Sequence, residues 1–355
     1  MTADVLKDIS KCTGCTACEQ ICPHKCISMQ YDAKGFLYPK KDLSICIDCG
    51  ICVNICPVNI EHEEKSSFVQ KVFAVKHKNK AIQYASSSGG AFTALAEEVF
   101  ERNGIVVGVR FNESMKVVHD FAFSIDDLTA FRGSKYVQSD LSDTFTKIKR
   151  CLENKRLVLF SGTPCQVAGL NSFIGSNNKY LVTLDFVCAG VPSPGFFSKY
   201  VKYLENGHNS KLVDFKFRDK TRGWKKGWQT IVHQYENGLI EKKLPNEDFF
   251  HKLFMARVSI RQCCSTCQYT SMNRPSDITI ADFWSIKNAA PDFNDSSGVS
   301  QVITNTIVGE KLFRSCKNMN VEECEILNSL QPRLLTSKPL SNFAPHYWTV
   351  YSICK

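Results

Sequence analysis

The sequence predicts an α+β, mixed α/β chain in two parts, a small cysteine-rich N-terminal module followed by a larger mixed α/β domain. Three observations predict it. Cysteine spacing repeats before residue 57, a short charged stretch over 61–67 breaks the pattern, and helical and strand-like segments alternate from there onward. A length of 355 residues with 43% hydrophobic content is enough to bury a sizeable core.

The module comes first. Cys12, Cys15, Cys18, Cys22 and Pro23 are repeated as Cys46, Cys49, Cys52, Cys56 and Pro57. This C-x2-C-x2-C-x3-C-P run is the ligand pattern of dicluster bacterial ferredoxins, in which the fourth cysteine of each run serves the other cluster. Cys12, Cys15, Cys18 and Cys56 are therefore expected to hold one [4Fe-4S] cluster, and Cys46, Cys49, Cys52 and Cys22 a second. Zinc on two Cys-x2-Cys pairs leaves the third cysteine and the proline of each run unexplained. Cys26 falls outside the spacing and reads as a buried thiol. The module is expected to span 1–65.

The larger domain, 66–355, opens on a strand-like 68–77. Helical periodicity covers 89–103, with Gly104 as a stop, then 142–154 and 194–206. Strands are expected at 105–111, 117–123, 157–160 and 180–188, the last two apolar enough to be buried.

Three places in this domain carry chemistry. Ser86-Ser87-Ser88-Gly89-Gly90 precedes a helix, where free amides suit a flavin pyrophosphate and a serine N-cap suits equally well. Cys165, Cys188, Cys264 and Cys267 sum to one set of four thiolates, open to a third cluster, to zinc or to unrelated buried thiols. Arg132-Gly133-Ser134-Lys135-Tyr136 places cations about a glycine, as an anion contact or a solvated turn.

Eighteen cysteines have little structural use as disulfides in a reducing cytosol, so metal or redox chemistry is expected, with a cytoplasmic location. No apolar run reaches a membrane span, and residues 1–10 lack the apolar core of a secretory signal. A formal charge of +9 fits an anionic cofactor, substrate or protein better than nucleic acid. The densest basic stretch, Lys216, Arg218, Lys220, Arg222, Lys225 and Lys226 with Trp224 and Trp228, alternates with Phe215 and Phe217 and reads as the solvated face of a strand. There is no Gly-x-Gly-x-x-Gly fingerprint, no Walker lysine loop and no three-cysteine run of the radical enzymes that cleave S-adenosylmethionine. His119, His233 and His251 read as structural, leaving no catalytic acid assigned.

The segments 86–90, 162–166, 187–194, 261–269 and 277–284, in this order, resemble the coenzyme F-420 hydrogenase/dehydrogenase beta-subunit family. The resemblance implies an iron–sulfur flavoprotein oxidoreductase with flavin adenine dinucleotide (FAD) and a third [4Fe-4S] cluster on Cys165, Cys188, Cys264 and Cys267, Cys263 being a neighbour. It implies that Ser87, Ser88, Gly89, Gly90, Lys135 and Thr163 line the flavin. Its substrate would be the deazaflavin or another small molecule, and its partner a ferredoxin or an oxidoreductase subunit. Two rivals remain, a ferredoxin-dependent reductase of a metabolite or activated sugar and a flavin-free electron carrier. The chain departs from many relatives at Ala189, where they carry histidine, and at Ala281 and Ser285, where glycine is usual. These departures point to a subgroup that need not use the deazaflavin.

Overall fold

The computed structural model describes residues 5–60, 68–175, 178–225, 227 and 229–353. The expected module boundary near residue 65, together with Lys226 and Trp228, lies outside them.

Each cysteine run closes into a short helix that carries its third thiol, Ala17–Ile21 with Cys18 and Ile51–Asn54 with Cys52. Thr16 and Gly50 precede these helices in left-handed backbone, turning three thiols of each run toward one space. Between the runs, β1 (Ile27–Tyr31) and β2 (Leu37–Lys41) form an antiparallel hairpin.

The larger domain is built on an eight-stranded mixed sheet. Its strands are β3 (Lys71–His77), β4 (Ile105–Phe111), β5 (Val117–Ala122), β6 (Val158–Ser161) and β7 (Leu181–Phe186). A second sheet intervenes in sequence, formed by β8 (Leu212–Asp219), β9 (Thr230–Tyr235) and β10 (Ile240–Lys243). The large sheet then resumes with β11 (Ile278–Asp282), β12 (Ser300–Thr304) and β13 (Met319–Cys324), giving the order β13-β3-β12-β11-β7-β6-β4-β5. Its centre, β11-β7-β6-β4, is parallel, and both edges are antiparallel. The central strands read as apolar runs because helices cover both faces. Ala91–Glu101 packs Leu95 and Val99 against Val106 and Leu159, and Thr144–Glu153 packs Phe145 and Ile148 with Phe160.

The helices expected at 89–103, 142–154 and 194–206 are Ala91–Glu101, Thr144–Glu153 and Pro194–His208. The solvated face expected from Lys216 onward holds for Lys216 itself and fails at two cations. The Arg218 side chain lies buried in a bidentate pair with Asp282, and Lys220 is buried with Nζ donating to the carbonyls of Gln83, Ser88 and Ser297. Strand alternation signals exposure but carries no information about a partner 64 residues away.

The module is seated firmly on the larger domain. Gly35 and Gly195 approach with no room for a side chain on either, and the Gly195 amide donates to the Gly35 carbonyl at 3.0 Å. Gln20 Oε1 accepts from the amides of Phe145 and Thr146, and Ser193 Oγ donates to the Lys34 carbonyl at 2.6 Å.

Candidate metal centres

Each cysteine run contributes to two cavities, not one. Cys12, Cys15, Cys18 and Cys56 line one, and Cys22, Cys46, Cys49 and Cys52 line the other, each with ≈ 330 Å³ of empty space. The fourth thiol crosses over because each run's short helix carries it away from its own first three. Cys26 lines the second cavity as well, buried and with Sγ 3.3 Å from that of Cys22. Among the cysteines described, Cys49 alone is exposed.

The four dispersed cysteines come together at the sheet edge where β6 and β7 end. Cys165 sits in the first turn of the helix Pro164–Ile174, directly after β6. A capping box between Thr163 and Gln166 fixes that turn, whose positive end favours a thiolate. Cys188 follows β7, and its sulfur accepts from the Gly190 amide at 3.4 Å. Gly190 has φ 105, and a side chain there would collide with Ile260 and crowd Cys264, so only glycine lets the two loops meet. Cys264 and Cys267 lie on the turn Gln262–Thr266 and at its end. The bridge between Pro192 and Ile260 ties this turn to the Cys188 loop, with the Arg261 amide donating to the Val191 carbonyl.

These thiols feel one another. Burial, followed by the sulfurs of Cys267, Cys188 and Cys264, pushes Cys165 well up, and burial pushes Cys188 up to about 12. Contact with Cys263 comes first in raising Cys264, ahead of burial. In the N-terminal set, burial takes Cys15 up to about 12, with Cys12 and Cys56 adding to it. Such thiols ionise together only against a strong positive centre. No three His, Cys, Asp or Glu side chains among the described residues converge tightly enough for a single metal ion. The sulfurs of each N-terminal set border a space, as a multi-iron core requires and a tetrahedral zinc with ligands at about 2.3 Å does not.

The inner thiols abut the module. Gly169 lies one turn beyond Cys165 on the same helix, and a Cβ there would stand 2.8 Å from Cys15 Cβ and 2.9 Å from its sulfur. Arg261, fully buried, donates to the carbonyls of Cys12 and Leu37 and to Gln138 Oε1, and its guanidinium stacks 4.1 Å from the Tyr38 ring. Neither Gly169 nor the contacts of Arg261 had a local signal in the sequence.

The expected flavin contacts are divided in their surroundings. Ser87 Oγ accepts from the Ser134 amide at 2.8 Å, beside the first turn of the 91–101 helix. Lys135 Nζ donates to the carbonyls of Ala130 and Arg132, and burial brings it down to about 7. Ser88 Oγ donates to the Val299 carbonyl. The Gly89 amide donates to Ser300 Oγ, and a Cβ at 89 would strike the Val75 carbonyl, so that glycine lets the loop lie against β3 and β12. Gly90, with φ 92, caps the helix against His77. Thr163 belongs to the cap before Cys165. The segment 134–139 links these groups to the thiol sets, touching Ser87 through Ser134, Arg261 through Gln138 and Gln166 through Ser139.

The three histidines are internal. His119 stacks on Phe160 and lies 3.1 Å from the Ser161 carbonyl, with burial lowering it to about 4. His233 lies 3.1 Å from the buried Asp248, whose carboxylate also accepts from the amide of the buried His251.

Residues 72–145 and 155–329 match the two halves of one family, the N-terminal and C-terminal parts of the coenzyme F420 hydrogenase/dehydrogenase beta subunit. The chain belongs to that family. Residues 11–60 match a 4Fe-4S dicluster domain. This family member is thus an iron–sulfur oxidoreductase, with a ferredoxin-type module ahead of the beta-subunit fold. Among solved structures, it is similar to one chain of the F420-reducing [NiFe] hydrogenase complex from Methanosarcina barkeri. The identity is 17%, over 74% of this chain and 84% of that one, with a TM-score of 0.47. No curated protein matches in sequence. Among the described residues no helix is long and apolar enough to cross a membrane.

Proposed function

We propose that the chain is a cytoplasmic iron–sulfur flavoprotein that moves electrons between an N-terminal [4Fe-4S] pair and a small organic substrate. Its units are the module 1–65 and the flavin and iron–sulfur domain 66–355. The ligand sets are Cys12, Cys15, Cys18 and Cys56, then Cys46, Cys49, Cys52 and Cys22, then Cys165, Cys188, Cys264 and Cys267. The observation that carries the reading is the gathering of the last four thiols at one sheet edge, one helical turn from the place where Gly169 meets Cys15. Three metal centres in a row form a wire only if the second and third are neighbours, and the contact of Gly169 with Cys15 supports that arrangement.

Ser87, Ser88, Gly89, Gly90, Lys135 and Thr163 are the proposed flavin neighbours. The first-turn amides of the 91–101 helix suit an anion, and Ser134 keeps Ser87 in place beside them. A flavin there would supply the exchange between two-electron and one-electron transfer. The substrate is the deazaflavin or another small molecule, and a ferredoxin or oxidoreductase subunit exchanges electrons with the module.

Anaerobic purification with iron, sulfide and flavin counted tests this reading. The expected result is about twelve iron atoms and one acid-releasable yellow flavin per chain. Stoichiometric iron without flavin would leave a protein electron carrier instead. Turnover with reduced ferredoxin but not with reduced deazaflavin would assign the substrate to another metabolite.

A further inference from the structure

The small sheet sends one cation into the large one. The register of β8 against β9 slips between Lys216 and Asp219, and such a bulge re-aims the side chains that follow it. Lys220 comes next and is buried. Its Nζ donates to the carbonyls of Gln83 at 2.8 Å, Ser88 at 2.5 Å and Ser297 at 2.5 Å. Three acceptors use all three hydrogens of an ammonium, so this geometry belongs to the charged form. Burial, with Arg218 adding to it, brings the group down to about 7, and the three carbonyls favour the proton against that.

The carbonyls belong to three separate segments. Gln83 lies in the helix Lys80–Ala85, Ser88 in the loop ahead of the 91–101 helix, and Ser297 in the loop before β12. Gly298, with φ 104, makes their meeting possible, because a Cβ there would stand 2.8 Å from the Ser88 carbonyl oxygen and 3.0 Å from Lys220 Nζ. Gln83, also buried, donates through Nε2 to the Gly298 carbonyl at 2.8 Å and closes the ring on its other side. Burying a cation costs more than burying an apolar side chain of similar length, so fastening three loops does not by itself account for a lysine. The cost is offset where an anion comes to lie nearby. Ser88 is two residues from Gly90, which offers no side chain to the first-turn amides of the 91–101 helix.

We propose that Lys220 is a positioning residue for the flavin, acting through Ser88 to fix the loop whose amides receive the pyrophosphate of the dinucleotide. This rests on the reading of Ser87 to Gly90 as flavin contacts. The effect of Lys220 is on the phosphate end of the ligand and not on its ring, so it sets a preference for the dinucleotide over the bare flavin.

The test compares FAD with riboflavin, which has the same ring and no phosphate. Both are titrated anaerobically into the full-length protein after its flavin is removed and with its iron retained, and binding is read as quenching of flavin fluorescence. Lys220→Met should weaken FAD about tenfold or more and leave riboflavin unchanged. Gly298→Ala, which forces Ser88 and Lys220 apart while keeping the cation, should show the same selective loss, and it decides the question if Lys220→Met does not fold. Equal weakening of both ligands would make Lys220 a structural pin only. Equal weakening, or unchanged FAD affinity in a variant that keeps about twelve iron atoms, overturns the proposal. An unmodified protein that binds neither FAD nor riboflavin overturns the flavin reading itself, and this inference with it.

Discussion

The outer thiol set and the inner one are assembled by opposite means. Cys46, Cys49 and Cys52 lie within one turn, with Cys22 supplied by the matching run, and their cavity reaches the surface at Cys49. Cys165, Cys188, Cys264 and Cys267 come from three loops separated by whole strands and helices, with Arg257 donating to the Ala189 and Cys264 carbonyls. The difference shows what spacing and topology each contribute. A tight turn makes a site that any exposed module can carry, whereas a sheet edge makes one that exists only when the entire domain is folded. On the proposed function, the first serves exchange with an external partner and the second transfer to a substrate inside the protein.

The comparison breaks most visibly at Cys22. Cys22→Ala should strip about four iron atoms from the set completed by Cys46, Cys49 and Cys52, leaving the Cys12 set loaded. Selective loss of the Cys12 centre, read by iron count and resonance spectrum, would reverse the crossed assignment. Cys26, 3.3 Å from Cys22, makes Cys22→Ala/Cys26→Ala the cleaner variant.

A smaller effect is expected at the contact between the two regions. Gly169→Leu drives a side chain into Cys15 and should cost about 1–3 kcal/mol, measured by denaturant unfolding of the loaded protein. Rapid-mixing reduction should also show the inner centre filling more slowly while the outer set fills at its usual rate. Equal rates in both proteins would mean that electrons take another route.

The smallest effect belongs to Thr163→Ala, which removes the capping box before Cys165 at a cost of about 0.5–2 kcal/mol. Iron should become easier to chelate from the inner site only, followed as the time course of loss to a chelator. Uniform loss from all centres would assign Thr163 no local role.

Legibility in the sequence follows the same division. The two cysteine runs were readable because their ligands are neighbours in the chain, and the alternating helices and strands because burial imposes a period. The inner thiols could be counted but not gathered, since their meeting depends on β6 lying beside β7 and on Pro192 pairing with Ile260. Arg261 was visible only as part of a motif. Its partners, Cys12, Leu37 and Gln138, are 249, 224 and 123 residues away. Arg218 and Lys220 misled for the same reason, because alternation marks a strand face and the partners that bury a cation come from elsewhere.

The central claim is that three thiol sets stand in a row within one chain. Counting iron and sulfide in anaerobically prepared unmodified protein and in Cys165→Ala tests it most directly. About twelve iron atoms falling to about eight, with the N-terminal pair's spectrum unchanged, is the result expected. An unmodified protein holding about eight, or a Cys165→Ala protein that keeps them all, would contradict it.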